Sequence, residues 1–281
     1  MDDELLYGVA GRWWKRSGFR DPDVFMRAAF GAGFDLVSLY GSLPAALVSA
    51  CGQVRSHEET LEHHSVLPFY RPYMSQAMFG HLSCIGIHTP TRGRLCGQAT
   101  IALTQVRYCP VCAVRQLEED GVAAWQRSHN LPYVRACWLH GCGLISVAVR
   151  YERFPRLIPR EMGGVRPASA DDHLFANESR RLLLDSGGFA TATAIAAAWR
   201  RYLHDCFGGY AATARAFLDT FSPETLATYG MAANEVSIAT RVRKLAEGKA
   251  AARSPVFALL LSRMVSADDY AYIMREGAAD W

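Results

Sequence analysis

"RYCPVCAVRQLEEDGVAAWQRSHNLPYVRACWLHGCGL", residues 107–144, decides how this chain is read. Cys109 and Cys112 stand three positions apart, and after 24 intervening residues Cys137 and His140 repeat that spacing. A tetrahedral zinc ion takes four thiolate or imidazole ligands at about 2.0–2.3 Å. One Cys-x-x-Cys knuckle supplies two of them, and a second pair from elsewhere in the chain completes the tetrahedron. Pro110 stiffens the first knuckle and Gly141 permits a sharp exit from the second. The spacing therefore predicts one structural Zn2+ site held by Cys109, Cys112, Cys137 and His140. Such a site pins the excursion between its two knuckles. Within that excursion Arg127 and His129 are read as contacts to a phosphate or a partner, with His129 equally suited to prop a zinc ligand by a hydrogen bond. The acids at 117–120 read as a solvated turn between the knuckles.

Two other uses of the cysteines fit the sequence less well. Buried free thiols are common and suit Cys51 and Cys206, each alone in a helical pattern. A catalytic zinc of the nucleobase-deaminase kind needs His-x-Glu upstream of Pro-Cys-x-x-Cys and an open position for water. His57, Glu58 and Glu59 do precede a Cys-x-x-Cys, but the proline lies inside the pair and the Cys137/His140 pair would be left without a role. Cys84, His88, Cys96 and Cys142 show no spacing that argues for a second site.

Outward from this segment the chain reads as helices. "DELLYGVAGRWWKRSG" carries acids at its start, Leu5, Leu6, Val9 and Trp13 on one face, and Lys15 and Arg16 before Gly18. "DPDVFMRAAFGAG" opens on Asp21 and Pro22. "SLPAALVSAC" repeats that logic, and "SHEETLEHHS" carries a capping box from Ser56 to Glu59. "VLPFYRPYM" reads as a rigid extended loop, since prolines and aromatics crowd it. Residues 84–107 alternate enough to hold short strands. Residues 151–171, rich in proline, glycine and arginine, form a linker between residues 1–150 (helical to 83, finger region 84–150) and a helical carboxy-terminal domain at 172–281. The fold class expected is mainly α, multi-helical, with short strands near the finger.

Half of the 281 residues are hydrophobic, a fifth are charged, and the net charge is +3. This is the composition of a folded protein, compatible with nucleic-acid binding without demanding it. No apolar run is long enough for a membrane span, and "MDDELLYGVAGRWW" does not begin like a secretory signal. A cytoplasmic location follows as the expectation, and there eight cysteines favour metal over disulfides. No Gly-x-x-x-x-Gly-Lys-Ser/Thr loop and no nucleophile elbow stand out, so nucleotide hydrolysis is assigned to a partner and the chain is read as no enzyme. Three groups are candidate contacts. Trp14, Lys15 and Arg16 join an aromatic ring to cations at a helix end. Arg71 lies in the aromatic "PFYRPY". Arg241, Arg243, Lys244 and Lys249 make the densest basic stretch, suited to a phosphate-facing helix or to an ordinary solvated one.

"RYCPVC" followed by "AWQRSHNLPYVRACWLHGCGL" resembles the zinc-binding signature of the TniQ/TnsD transposition proteins. "DELLYGVAGRWWKRSG", "HSVLPFYRPYM", "IGIH" and "RSPVFALLLSRMV" are similar to further family segments in the same order. The resemblance implies a helix-turn-helix-like amino-terminal part, a zinc finger region and a helical carboxy-terminal part. It also implies a non-catalytic targeting factor that recruits a TnsC-like AAA+ ATPase, and through it the transposase, with TnsC contacts near the amino terminus. In some members a CRISPR RNA-guided, Cascade-like complex chooses the site; in others the protein reads target DNA itself. Longer TnsD-like members extend beyond this length, and several carry a second cysteine cluster. The comparison therefore favours the shorter adaptor type over a self-sufficient DNA-binding selector, with a zinc hydrolase or deaminase a distant third.

Overall fold

A computed structural model describes residues 3–30, 57–75, 105–148, 157–159, 163–185, 188–249 and 255–275. It is mainly helical, with one two-stranded sheet and a Cys/His cluster in its middle region. The chain divides into two compact units, one drawn from Met1–Pro68 and Gly80–Arg181, the other from Phe69–Phe79 and Leu182–Trp281.

In the first unit α1 spans Leu6–Arg16, α2 Pro22–Phe30 and α3 His57–His64. Asp21 caps α2, its Oδ1 accepting from the Asp23 amide at 2.8 Å. Ser56, the expected cap of α3, lies outside the described residues, as does 42–51. The face of α1 differs from the sequence expectation. Its buried residues are Tyr7, Gly8, Ala10 and Gly11, while Leu6, Val9 and Trp13 are only half-buried. The reason is Trp125, which is 1% exposed. A Cβ on Gly8 would come within 3.3 Å of its indole and 2.9 Å of the Glu4 carboxylate, so the helix seats a glycine there. Tyr7 and Tyr108 pack edge-on against Trp125, with ring centroids at 6.2 and 5.8 Å. Trp13 packs on Phe25 in a smaller cluster with Ala10 and Met26.

The segment 67–73 is also not extended. Leu67–Tyr70 forms a short helix, α4, and Arg71–Tyr73 a 3₁₀ turn. Pro68 and Pro72 sit in the first turns of these pieces, where no amide donor is needed.

Strand β1, Gln105–Tyr108, pairs antiparallel with β2, Ile145–Ala148, in the register Gln105 to Ala148 and Tyr108 to Ile145. Between them lie α5, Pro110–Asp120, and a 3₁₀ turn at Ser128–Asn130. The acids at 117–120 are thus the end of a helix rather than a turn. Gly121, at φ 72°, stops that helix in the left-handed region, its amide returning to Leu117 O. Helix α6 spans Ala170–Leu184.

The second unit is built around α7, Ala192–Phe207, whose Trp199 and Leu203 are fully buried. Against α7 pack α8 (Tyr210–Thr220), α10 (Glu235–Ala246), α12 (Ala267–Arg275) and the Arg71–Tyr73 turn. Helix α9 is Pro223–Thr228; α11, Pro255–Ser262, is buried on every side, as its apolar sequence dictates. The caps are those the sequence offers: Thr191, Ser222 and Asn234 each accept an amide three residues on, and Gly208 ends α7. Cys206 departs from expectation and is exposed. It lies beyond Leu203, the last buried residue of α7.

Candidate metal centre

The β1–β2 pair brings the two knuckles together, since Tyr108 and Ile145 are opposite each other at the end that leads into them. Cys109 follows β1 directly and is the N-cap of α5, its sulfur accepting from the Cys112 amide at 3.4 Å. Pro110 occupies the first helical position, where its missing N–H costs nothing. The second knuckle is a tight reversal. Ala136 bridges Gly143, the Cys137 amide donates to Cys142 O at 2.7 Å, and the Leu144 amide to Arg135 O at 2.7 Å. The His140 amide donates to the Cys137 sulfur at 3.4 Å, repeating the logic of the first knuckle. Gly141 then turns at φ 59°, a conformation a side chain would strain.

These two knuckles place Cys109 Sγ, Cys112 Sγ, Cys137 Sγ and the ligand nitrogen of His140 within 4.8 Å of one another. The His140 Nδ1 lies 3.5, 3.3 and 3.5 Å from the sulfurs of Cys109, Cys112 and Cys137, and Cys112 is 3.7 Å from Cys137. In a regular tetrahedron such edges put the centre roughly 2.0–2.3 Å from each donor, the range in which thiolate and imidazole bind a tetrahedral metal ion. The three cysteines are buried and His140 half-buried. The arrangement is therefore consistent with a metal site.

The electrostatics agree. Hydrogen bonds from Cys112 and Cys137 pull the Cys109 thiol far down, against the opposing effect of its burial. Cys112 moves the other way, chiefly through the bond it gives to Cys109. Cys137 is lowered: its contact with Cys109 opposes this, and contacts with Cys112 and His129 outweigh it. Without a cation, one sulfur takes the charge and its neighbours keep their protons, because adjacent thiolates repel. A divalent ion at the centre removes that conflict.

The surrounding shell holds the knuckles. Asn130, fully buried, accepts from the Arg107 amide at 2.8 Å and donates to Arg107 O at 3.0 Å, taking the place of a third strand beside β1. The Arg107 guanidinium donates to the carbonyls of Leu131 and Val134, and burial lowers its pKa to about 10. On α6, His173 bonds Trp138 O at 2.8 Å and Arg180 stacks 3.6 Å from the centroid of the Trp138 ring.

Arg127 and His129, read from sequence as contacts, are 2% and 1% exposed and offer no surface. The Arg127 guanidinium is turned inward onto Asp3 Oδ1 at 3.3 Å and onto the carbonyls of Glu62 and Ser65. His129 lies against Cys137, where it props that side chain. Lys15 and Arg16 are exposed, and the Lys15 ammonium sits 4.5 Å over the half-buried Trp14 ring. In the second unit Arg71, Arg241 and Lys244 are half-buried and Arg243 is exposed. Lys249, beyond the end of α10, is paired with Glu247 at 2.6 Å. Cys142, which spacing alone gives no place in a metal site, has its sulfur 3.3 Å from that of Cys109. The signal available was a second cysteine five residues after Cys137. Cys51, Cys84, His88 and Cys96 lie outside the described residues, as do the side chains of His57 and Glu58.

Fold and site together define a helical protein whose middle region is organised on a Cys3His metal-type cluster. The TniQ family profile matches residues 1–144, more than half of the chain. This chain belongs to the TniQ family, a family of transposition-associated targeting proteins. No curated protein matches it. Among the described residues no helix is long and apolar enough to cross a membrane.

Proposed function

We propose that the chain is a non-catalytic transposition-targeting adaptor folded around one structural Zn2+ ion, acting in the bacterial cytoplasm. Its zinc ligands are Cys109, Cys112, Cys137 and His140. Three thiolates and an imidazole suit zinc and disfavour the hard, oxygen-seeking cations. Four protein donors fill a tetrahedral shell and leave no position for a reacting water, which supports a structural ion over a hydrolase or deaminase. In this reading the TniQ domain occupies 1–150, the division supported by the match to residues 1–144; 151–171 is a linker and 172–281 a helical domain.

The adaptor recruits a TnsC-like AAA+ ATPase, and through it the transposase, to a site chosen by a CRISPR RNA-guided complex. Family membership is the observation that carries this reading. Trp14, Lys15 and Arg16 are its proposed ATPase contacts, supported by the exposure of both cations beside an aromatic ring. Arg71, Arg241, Arg243, Lys244 and Lys249 are proposed to meet nucleic acid or the targeting complex.

One observation favours the second reading, a TnsD-type selector that binds DNA unaided. Helix α9, a turn through Gly230 and α10 follow in helix-turn-helix order, and α10 exposes Val236 and Arg243. Gel shift of the purified, zinc-loaded chain separates the two. The adaptor reading expects weak, salt-sensitive and sequence-blind DNA binding, with co-purification of the ATPase. Nanomolar, sequence-dependent binding by the chain alone would overturn it.

A further inference from the structure

We propose that Cys142 is a reserve metal ligand, a fifth donor that takes the place of Cys109 when that ligand is removed. The inference rests on the metal-centre reading above. Cys142 is 3% exposed and shares one buried cluster with Cys109, Cys112 and Cys137. Its sulfur is 3.3 Å from Cys109 Sγ, closer than the 3.7 Å between Cys112 and Cys137, two of the four donors of the tetrahedron.

This placement is built by the backbone. The left-handed turn at Gly141 reverses the chain just after His140. The Cys142 carbonyl accepts the Cys137 amide at 2.7 Å, the Gly143 amide donates to Arg166 O at 2.8 Å, and Cys142 bridges Pro167. Pinned on both sides, residue 142 needs only a side-chain movement to bring its sulfur to the vertex beside it. A tetrahedral shell already filled by four protein donors has no fifth place, so in the intact centre Cys142 is the thiol that hydrogen-bonds to the Cys109 sulfur. If Cys109 is withdrawn, Cys142 restores three thiolates and one imidazole. Charge and softness of the donor set are then unchanged, which is why the ion is retained. The spare sulfur stands against Cys109, which makes Cys109 the ligand it can replace.

The test uses the full chain loaded with Zn2+ or Co2+: wild type, Cys109→Ala, Cys142→Ala and the double variant. Elemental analysis after dialysis counts bound metal, chelator competition gives affinity, and the cobalt charge-transfer absorption counts thiolates. Wild type is expected to bind one ion through three thiolates. Cys142→Ala keeps three thiolates and binds about 10-fold more weakly, having lost a hydrogen bond to a ligand. Cys109→Ala also keeps three thiolates, with affinity lowered about 10–100-fold. The double variant drops to two thiolates and loses the ion on dialysis. If Cys109→Ala loses its metal as completely as the double variant, or keeps it with only two thiolates, the reserve role is wrong. A wild-type chain that takes up neither ion overturns the metal centre itself, a separate result.

Discussion

Replacing Arg127 with methionine tests whether the interior of the finger excursion is scaffold or surface. In the fold this guanidinium joins three stretches distant in sequence. It pairs with Asp3 at 3.3 Å, donates to the carbonyls of Glu62 and Ser65, and its own amide donates to Asp3 O at 2.7 Å. Methionine fills much of the volume but satisfies none of the polar partners. Breaking a buried pair by removing one partner costs about 3–5 kcal/mol. Asp3 is 26% exposed and keeps its bond from Ser128, so part of its charge is recovered by water and the lower end, about 3 kcal/mol, is expected. Against a total stability of about 5–15 kcal/mol this is a large fraction. The assay is urea unfolding of the full chain, followed by tryptophan fluorescence. Arg127→Lys is expected to recover little, since one ammonium cannot serve three acceptors in fixed directions. The double variant Asp3→Asn/Arg127→Met should be less destabilised than the sum of its parts by about 1–2 kcal/mol. If Arg127→Met costs under about 0.5 kcal/mol, as surface changes do, while weakening a partner complex, the scaffold argument fails and the residue is a contact after all.

Three further outcomes follow from the same structure. Chelating the zinc proposed for this site, or changing Cys137 to alanine, should unfold the 105–148 region, because the binding energy of a structural zinc is folding energy; amide exchange protection in that region is the readout, and protection that survives chelation would refute it. Gly8→Ala should cost about 1–3 kcal/mol by overpacking against Trp125 and Glu4, measured as a lowered Tm, where a neutral result would mean α1 does not approach as closely as described. Burial raises the Glu4 carboxyl above 4.5, with Arg12 only partly opposing it. The folded state then holds this proton more tightly than the unfolded one, so stability from this group is fully present at low pH and is lost as pH rises through the folded pKa. Glu4→Gln should remove that fall, seen in the wild-type-minus-variant stability as the pH is raised through the carboxylate range; a difference independent of pH would refute the assignment.

The helical class and most helix ends were legible because local rules fix them. Asp21, Thr191, Ser222, Asn234 and Gly208 act within one turn of where they stand, and no distant neighbour is needed for them to act; the helix that Gly121 ends, over 110–120, did not stand out beside the cysteines. The two short prolyl pieces at 67–73 were misread because proline at the first turn of a helix and proline in an extended loop look alike in sequence. The face of α1 was misread for a different reason. Leu6, Val9 and Trp13 are the more apolar set, but which side a helix buries depends on what it meets, and here it meets the flat indole of Trp125.

The repeated three-residue spacing by itself determined that Cys109 with Cys112, and Cys137 with His140, form two knuckles. A knuckle is a local object, built from amide-to-sulfur bonds within one turn. Only the tertiary structure decided that the pairs face one another at tetrahedral distance, through the β1–β2 register that closes the ends of the excursion. It also decided that Arg127 and His129 point inward and that Cys142 returns to Cys109, neither of which a spacing can encode. Direction along the chain is written in the sequence. Direction in space at these positions is set by ladder pairing, by one left-handed glycine and by the buried partners each polar group must find.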